Sequence, residues 1–512
     1  MTDSGMPGTS PERPQHPPVR SDDSVTVITE KPRTPPRTAK TYAVASARAA
    51  AGAVGLGIAV VAVLAAALLP LPGVTGEPAS MTVTPVPTAQ QLVCAGSMLR
   101  LGSQNGEDAT TSSAVGRAIS RFGATSGDVT TRTLDNSNGS PLVVSVTPTD
   151  GDEVTPLVAA SQSQSLGDSE FSGFAAVDCA AAATDSWLAG GSTTVGRTTL
   201  LTLANPSDVQ STVGIQIYDG TGLLSTPGST GIIVPARGQR VLSLAGFAPD
   251  TETPVIHVTS KGGQIVANLQ QSIVRGLEPA GIDIVGATAA PATRHTIPGV
   301  VIRGATAVEE RLGQDGSADL RTVIRLFAPG DTDAEATIRV TPDGAVGSGN
   351  SFQITLEAGL VTDVPVENLT NGRYTVSVDT DEPVVAAVRA STATGNVQGI
   401  GTTDFAWYTS PEELTDTALF SVAPGTSAAL TIANAADAAI EVRVTKLGSD
   451  DVETVAVEAN ASKSIAVDQD QTYRLETTNP VTAMIGYSAN GQLAALPVRA
   501  PLESSGAITI YP

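Results

Sequence analysis

One segment of this sequence recurs three times, and that repetition constrains the fold more than any other feature. Each copy contains an apolar run that ends in turn-forming residues, followed after a few residues by a strand-like run. These paired runs are residues 200–208 and 213–218, residues 323–331 and 336–340, and residues 430–437 and 440–444. Pro206, Pro329 and Ala435 occupy corresponding positions in them. The shared order predicts three structural units of one kind.

The second half of each copy also corresponds and adds two more strand-like runs. Residues 255–258 and 264–269 match residues 374–378 and 383–388, and they match residues 473–476 and 480–485. Apolar and polar residues alternate within such runs, as in Ile440-Glu441-Val442-Arg443-Val444, which places the apolar side chains on one face of a strand. Turn chemistry such as Asn205-Pro206-Ser207-Asp208 separates the runs.

Short strands with one apolar face bury those faces best when two sheets pack together. The sequence therefore predicts an all-β fold, with tandem immunoglobulin-like β-sandwich units after one N-terminal transmembrane helix. Only the architecture is meant, because the Cys…Trp…Cys spacing of true immunoglobulin domains is absent. A propeller is less expected, since blades of ~40 residues are missing.

An uncharged apolar stretch at residues 49–71 sets the expected compartment. As a helix it would extend about 34 Å, enough to cross the ~30 Å hydrocarbon core of a bilayer. Basic residues such as Lys40 and Arg48 precede it, and the first charge after it is Glu77. The positive-inside tendency then predicts a single-pass protein of the cell membrane, with a cytosolic N-terminus and an extracellular C-terminal region. A cleaved signal peptide is the alternative, although its apolar stretch is normally shorter.

The sequence predicts seven consecutive regions. They are a disordered cytosolic tail at 1–48, the transmembrane helix at 49–71, a Pro-rich stalk at 72–90, an N-terminal β unit with a disulfide at 91–186, and β-sandwich repeats at 187–290, 291–416 and 417–512. The N-terminal β unit is the least regular of these. Residues 140–146 look like a strand, whereas residues 114–122 are compatible with a short helix or an exposed loop.

The two cysteines of the chain, Cys94 and Cys179, are both expected outside the membrane. An oxidising compartment and an even cysteine count favour a disulfide between them. A catalytic thiol would need a nearby base, and none of His16, His257 and His295 is close to either cysteine in the sequence.

No catalytic, cofactor or metal residues are predicted. The sequence has no Gly-x-Ser-x-Gly elbow, His-Glu-x-x-His motif or Walker loop. Oxygen-rich stretches at residues 135–139 and 379–382 do not follow the calcium-loop spacing of EF-hands, so they are interpreted as polar turns. His257 is expected on one face of a strand, with a structural role. Trp187 and Trp407 are expected to pack between units.

The formal net charge of −22 argues against nucleic acid as a partner, because an acidic surface repels phosphates. The membrane is the first expected partner. An envelope polysaccharide or a membrane protein is the second.

Several of these residues together resemble a known family. The run comprises Cys179, Ser186-Trp187-Leu188-Ala189-Gly190-Gly191, Thr198-Thr199-Leu200 and Leu203-Ala204-Asn205-Pro206, and the likeness continues through residues 234–238 and 297–299. It is similar to a signature of an uncharacterised actinobacterial family of membrane-anchored secreted proteins with a domain of unknown function. The resemblance implies an envelope location and supplies no activity.

Three functions follow from these features. The first is a non-enzymatic, membrane-anchored extracytoplasmic β protein with a structural or interaction role in the bacterial cell envelope. The second is an accessory subunit of an envelope glycan-synthesis or export complex, for which Ala53 and Gly57 give a small-xxx-small helix-packing pair. The third is a hydrolase on a β scaffold, which requires paired carboxylates that the sequence alone does not identify.

Overall fold

The computed structural model describes residues 52–61, 81–83, 88–102, 111–135, 137–149, 154–346, 349–395, 401–502 and 508–510. Residues 52–61 form helix α1, whose side chains are exposed. They belong to the predicted membrane helix at 49–71, and the rest of that segment lies outside the described residues. Within the described part of the chain, no helix combines the length and the apolar character needed to cross a membrane. The predicted tail and most of the predicted stalk also fall outside it.

Residues 82–510 form one compact unit that is almost entirely β-structure. Its N-terminal region contains eight short strands in three small antiparallel sheets, ordered β2-β7-β6, β5-β8-β9 and β3-β4. These strands are β2 (Gln90–Val93), β3 (Leu99–Leu101), β4 (Ser112–Ala114), β5 (Ile119–Ala124), β6 (Asp128–Thr133), β7 (Leu142–Thr147), β8 (Val158–Gly167) and β9 (Ser172–Asp178). A further short strand, β1 (Met81–Val83), pairs with β34 (Ile508–Ile510).

The strand expected at residues 140–146 is present as β7. Of the two alternatives for residues 114–122, the helix was wrong and the loop holds for residues 115–118. Ala114 ends β4, and residues 119–122 begin strand β5, which pairs with β8. The side chains of β5 are only partly buried. Its small and polar residues therefore lack the apolar alternation that identifies a strand in a sequence.

Cys94 and Cys179 form the predicted disulfide, with Cα atoms 4.1 Å apart. Cys94 follows β2 and Cys179 follows β9, so the bond joins two different sheets of the N-terminal region.

Three β-sandwiches follow, each made of two antiparallel sheets. The first contains β10 (Asp185–Ala189), β11 (Arg197–Ala204), β12 (Ser211–Asp219), β13 (Gly222–Leu223), β14 (Ile232–Val234), β15 (Gln239–Ser243), β16 (Val255–Gly262), β17 (Val266–Arg275) and β18 (Glu278–Val285), with a 3-10 turn at Leu244–Gly246.

The second sandwich contains β19 (Ala292–Ile302), helix α2 (Ala305–Leu312), a 3-10 turn at Ala318–Leu320, β20 (Val323–Phe327), β21 (Ala334–Pro342), β22 (Asn350–Leu356), β23 (Val361–Pro365), β24 (Gly372–Ala393) and β25 (Thr403–Thr409). The third contains β26 (Thr417–Val422), β27 (Ala428–Asn434), β28 (Ile440–Lys446), β29 (Val452–Val457), β30 (Ala461–Val467), β31 (Gln471–Glu476), β32 (Thr482–Ala489) and β33 (Gln492–Pro497).

All three sandwiches share one topology. The sheets of the first are β10-β16-β12-β13, with β14 also on β12, and β15-β11-β17-β18; those of the third are β26-β31-β28-β29 and β30-β27-β32-β33. In the second, β24 serves both sheets, because residues 372–380 pair with β19 and β21 whereas residues 385–393 pair with β20 and β25. The all-β sandwich prediction is confirmed. The strand order is not that of immunoglobulin domains, in which the first two strands share a sheet.

The core of each sandwich lies between its two sheets. In β28, Ile440, Val442 and Val444 are buried, whereas Glu441 and Arg443 are exposed, as their alternation predicted. Each core also continues into a neighbouring part of the fold. The core of the first sandwich includes Phe327 and Trp407 of the second.

Four edge strands, one from each part of the fold, meet at the centre of the unit. They are β9 of the N-terminal region and β18, β25 and β33, the last strands of the three sandwiches. Contacts run from β9 to β18, from β18 to β25, from β25 to β33, and from β33 back to β9. We call this ring of strands the central junction. It covers four sheet edges that would otherwise present unpaired backbone groups.

Candidate functional site

The centre of the central junction holds the fully buried carboxyl group of Asp404, from β25. Its Oδ2 atom accepts hydrogen bonds from the backbone N–H groups of Phe174 at 2.9 Å and Leu493 at 3.2 Å, and its Oδ1 atom accepts one from Ile282 at 3.2 Å. One side chain thus binds the backbones of β9, β33 and β18. Burial raises the pKa of Asp404 well above its ordinary value, although the backbone donors favour the charged form.

Two glycines let the backbone approach this carboxyl group. A Cβ atom on Gly173 would lie 2.5 Å from Oδ1 of Asp404, and one on Gly281 would lie 2.6 Å from the ring of Phe405. Their φ angles of +142° and +133° are also ones that other residues rarely adopt.

A second buried carboxyl group, that of Asp283 in β18, joins the first sandwich to the second. Its Oδ2 atom accepts a hydrogen bond from the backbone N–H of Trp407 at 2.7 Å, and its Oδ1 atom accepts one from Ile284 at 2.9 Å. Burial raises the pKa of Asp283 to about 8.

A buried arginine of the second sandwich also contacts the first. The guanidinium of Arg325 donates to both carboxylate oxygens of Asp363, at 2.8 and 2.9 Å. It also donates to the backbone carbonyls of Gly191 and Pro254 in the first sandwich, each at 3.1 Å. The same group lies 4.6 Å from the ring centroid of Trp407, a cation–π contact.

Asp319 forms a second ionic contact between these sandwiches. Its Oδ1 atom accepts from Arg275 at 2.8 Å and from Arg197 at 3.0 Å. Burial raises the pKa of Asp319, but Arg275, Arg389 and Arg197 together outweigh burial, so the pKa lies below its ordinary value. Like Asp404 and Asp283, this carboxyl group joins parts of the fold, whereas Asp363 bonds Arg325 within the second sandwich. None of the four lines the cleft described next.

A polar cleft of about 920 Å³ lies between the second and third sandwiches. Its floor is the outer face of the sheet formed by β19, β24, β21 and β22. Tyr374, Val376 and Val378 of β24 point into the core, so the alternate residues Thr375, Ser377 and Asp379 face outward. The floor residues are Arg294, Thr296, Arg339, Thr341, Gly349, Ser351, Thr375, Ser377 and Asp379, and the wall comprises residues 433–437 and 460–462 of the third sandwich. We call this site the hydroxyl cleft.

The wall of the hydroxyl cleft is built by the turn motif that recurs in the sequence. Asn434 donates from Nδ2 to the carbonyl of Ala438 at 2.8 Å and accepts at Oδ1 from the N–H of Ala436 at 2.9 Å. Asn205 does the same in the first sandwich with Val209 and Ser207, at 2.8 and 3.0 Å. The asparagine therefore fixes the turn that shapes the wall.

Asp343 joins the floor of the hydroxyl cleft to its wall. Its carboxylate accepts from the hydroxyl of Ser462 at 3.0 Å and from the N–H of Ser464 at 3.2 Å, and the backbone of Gly344 donates to Ser462 at 3.0 Å. These bonds fix the spacing between floor and wall.

The charged side chains of the cleft are paired with each other or with amides. Arg294 and Arg339 both donate to Asp379, at 3.1 and 2.6 Å. Asp437 accepts from the amide of Asn460 at 3.1 Å. The hydroxyl of Thr375 differs, because it is buried and finds no hydrogen-bond partner in the part of the chain that the structure describes, and the residue is only 7% exposed.

A second, more apolar cavity of about 400 Å³ lies beside the disulfide. Alanines 180–183 and the chain after β33 line it. Its arginine, Arg499, donates to Asp178 and to the carbonyl of Ala287, each at 2.7 Å. This guanidinium therefore holds the C-terminal chain against the N-terminal region and the first sandwich.

The histidine His257 and the two tryptophans singled out in the sequence make specific contacts within the fold. His257 lies on β16, where it bonds Asp185 at 2.7 Å and stacks on Trp187 with ring centroids 4.1 Å apart. Trp187 also contacts Phe327 of the second sandwich, and the indole N–H of Trp407 donates to Gln271 of the first at 2.9 Å. Both tryptophans pack between sandwiches, as predicted.

The two oxygen-rich stretches of the sequence lie in different parts of the fold. Residues 379–382 were interpreted as a turn, which was wrong: they lie within the continuous strand β24, where it passes from one sheet to the other. Of residues 135–139, Asn136 is outside the described positions, and Asn138 bonds Ser112 at 2.7 Å. Among the described residues, no group of three or more His, Cys, Asp or Glu side chains is arranged so that it could hold a metal ion.

Sequence reasoning missed both the hydroxyl cleft and the buried carboxyl groups. The cleft joins side chains from two different copies of the repeat. Asp404 and Asp283 did leave a signal, because each carboxyl adjoins apolar residues, in Asp404-Phe405-Ala406-Trp407-Tyr408 and Ile282-Asp283-Ile284. A charge within a buried strand indicates a specific partner.

Comparison with known proteins gives one informative match. No curated protein matches this sequence. Among solved structures, a biofilm associated protein, BSP domain, is similar over 74% of this chain and 67% of its own, with 11% identity and a TM-score of 0.11. A TM-score this low does not indicate a shared fold. A family model described as a family of unknown function, DUF5719, matches residues 132–477, well over half of the sequence. The chain belongs to this family of unknown function, DUF5719.

Proposed function

We propose that this chain is a non-enzymatic scaffold of the bacterial cell envelope, anchored by one membrane helix at residues 49–71 and presenting its β region outside the cell. The observation that carries the proposal is the bonding of Asp404. Its carboxyl group binds backbone of the N-terminal region and of the first and third sandwiches from a strand of the second. Such a junction fixes four parts of the fold as one body, which suits a protein that holds a binding surface in place.

The buried charges support the same proposal. Asp283, Asp319 and Asp363 bond backbone groups or arginines of neighbouring strands. A hydrolase would need two carboxyl groups facing each other across an open site. These acidic groups instead stabilise contacts between sandwiches. The hydroxyl cleft, with its floor and wall fixed by Asp343, is the surface we assign to partner binding.

The extracytoplasmic location is supported by three features. The disulfide between Cys94 and Cys179 suits an oxidising compartment, the acidic composition suits an exported protein, and the basic residues precede the apolar stretch. Protease treatment of intact protoplasts that carry the full chain with a C-terminal epitope tests the location. We expect loss of the epitope. Complete protection in intact protoplasts, with digestion after lysis, would overturn it.

Co-sedimentation tests the interaction role. The purified full chain in detergent is mixed with the insoluble cell-wall fraction of its own host and then centrifuged. We expect saturable sedimentation with the wall fraction. A chain that remains in the supernatant at every wall concentration, with a known wall-binding protein sedimenting as the control, contradicts the role.

An accessory role in envelope glycan synthesis or export is the second candidate. Residues 52–61 are helical, which places Ala53 and Gly57 one turn apart on one helix face. In this role the helix would dock on a membrane enzyme. Exchanging residues 49–71 for an unrelated membrane helix should then abolish function, whereas a scaffold needs only an anchor.

A further inference from the structure

We infer that the hydroxyl cleft binds a neutral oligosaccharide chain. This inference rests on the proposed envelope role and names the ligand class of the surface assigned to it. The charge balance of the cleft is the first observation that supports a neutral ligand. Its charged side chains are two arginines and two aspartates, and Asp379 pairs with both arginines. The cleft therefore has no charge excess to attract an anionic or a cationic ligand.

The composition of the cleft lining is the second observation, and it favours a ligand rich in hydroxyl groups. The wall contributes alanines and asparagines, and the floor contributes hydroxyl groups, so the cleft has no large apolar surface for a hydrophobic ligand. Within the described chain, the hydroxyls of Thr296, Thr341, Ser351 and Ser377 form no hydrogen bond to another residue. Each of them offers one donor and two acceptor positions. A row of such groups matches a ligand whose own groups alternate between donor and acceptor, as sugar hydroxyls do.

Thr375 supplies the third observation. The residue is more than nine-tenths buried and lines the cleft, and its hydroxyl has no hydrogen-bond partner among the described residues. An unpaired buried hydroxyl destabilises a fold, and valine has nearly the same shape without that group. A ligand that supplies the missing hydrogen-bond partner would explain why threonine, and not valine, occupies this position. The cleft volume of about 920 Å³ is at the upper end for ligand sites, and it suits several linked sugar residues.

The cleft has no aromatic side chain among its lining residues, so a sugar ring would not stack there. Recognition must instead come from hydrogen bonds, together with the planar, paired guanidinium groups of Arg294 and Arg339. Such groups can donate to adjacent hydroxyls of one sugar. Binding should therefore depend on individual hydroxyl groups of the floor.

Isothermal titration of the full chain in detergent tests this inference. The probes are neutral hexasaccharides of different hexoses and pentoses, a sulfated hexasaccharide and an uncharged hexapeptide. We expect at least one neutral hexasaccharide to bind, and the sulfated sugar and the peptide to bind at least tenfold more weakly. The variant Thr375→Val should weaken that binding about tenfold and also raise the midpoint of thermal unfolding.

Thr445→Val is the matched control. The hydroxyl of Thr445 is also buried and has no partner within the described ranges, but Thr445 lies outside the cleft lining. This change should raise the unfolding midpoint and leave oligosaccharide binding unchanged. Ser377→Ala, at a less buried floor position, should weaken binding without loss of stability. Together the variants separate ligand binding from folding.

Three results would overturn the inference. They are preferred binding of the sulfated sugar or the peptide, unchanged sugar binding by Thr375→Val and Ser377→Ala, and no binding of any neutral hexasaccharide. If the chain still sediments with the wall fraction in these cases, the scaffold role stands and only the ligand class fails. If sedimentation also fails, the scaffold role fails with it.

Discussion

Asp404 accepts a hydrogen bond at 2.9 Å from the backbone N–H of Phe174, a residue 230 positions earlier in the chain. Phe174 lies in the N-terminal region and Asp404 in the last strand of the second sandwich. The same carboxyl group binds Ile282 and Leu493, so sandwiches that look like separate repeats in the sequence are joined at one point. A linear array in which each repeat contacts only its neighbours would not need this contact.

Replacing Asp404 by Asn should destabilise the whole β region. The carboxyl group of Asp404 accepts hydrogen bonds at both of its oxygens. An amide has one acceptor oxygen, and its NH₂ group would face backbone N–H groups, which are themselves donors. Leaving buried donors unpaired costs about 1–3 kcal/mol each, so we expect a loss of about 2–4 kcal/mol. Urea unfolding followed by fluorescence measures it. Asp416→Asn, at an exposed position, should change the midpoint little; equal effects of the two variants would contradict the role of the junction.

Asp283 should make stability depend on pH. Its pKa is about 8 in the folded protein and near 4 in an unfolded chain, so between these values the folded state holds an extra proton. The free energy of unfolding should therefore fall as pH rises from about 4 to about 8. Asp283→Asn should flatten this fall. Urea midpoints at pH 5 and pH 8 check it, and an identical pH dependence of variant and parent would count against the assignment.

The repeated sandwich could be predicted because its signals are local. Alternation in β28 and the turn at Asn205 both depend on residues that are neighbours in the sequence. The strand order could not be predicted, since it depends on which edges pair. Residues 379–382 show the same difficulty. Their polar sequence is typical of a turn, but they lie within β24, which pairs with other strands before and after them.

The candidate site could not be predicted for a related reason. Thr375 and Asn434 are ordinary polar residues in the sequence, and only the packing of two sandwiches brings them to one cleft. The disulfide was predictable because the chain has two cysteines and an expected compartment for oxidation. Sequence patterns thus identified elements and covalent links, whereas the site depends on contacts between elements.

Arg325 should be essential for the contact between the first two sandwiches. Arg325→Met leaves the carboxylate of Asp363 and three backbone carbonyls without this donor, and breaking a buried ion pair in this way costs about 3–5 kcal/mol. Adding Asp363→Leu should recover most of the loss, because the unpaired charge is gone. Arg237→Met, which breaks the exposed pair with Asp208, should have little effect. Chemical unfolding of the parent, the two single variants and the double variant tests this role of Arg325. A double variant as unstable as Arg325→Met would contradict it.

Gly281 should not tolerate a side chain. A methyl group there would meet the ring of Phe405 at 2.6 Å, on a backbone with a φ of +133°. We expect Gly281→Ala to destabilise the protein by more than about 2 kcal/mol. Gly246→Ala is the control, because among the described residues no atom beyond its immediate chain neighbourhood lies within 4 Å of its added Cβ. Thermal unfolding compares the two, and a neutral result for Gly281→Ala would mean that β18 and β25 can separate without cost.

The disulfide should stabilise the N-terminal region because it restricts the conformations available to the unfolded chain. It joins residues separated by 85 positions, and in the chain-entropy model such a link contributes about 4–5 kcal/mol. A Cys94→Ala and Cys179→Ala double variant should therefore unfold at lower urea concentration, with residues 88–178 becoming sensitive to protease first. The parent should show the same loss in reductant, and the variant should not respond to reductant. If the double variant and the oxidised parent share one midpoint, the packing of β2 and β9 holds this region without the covalent link, and the bond has no stabilising role.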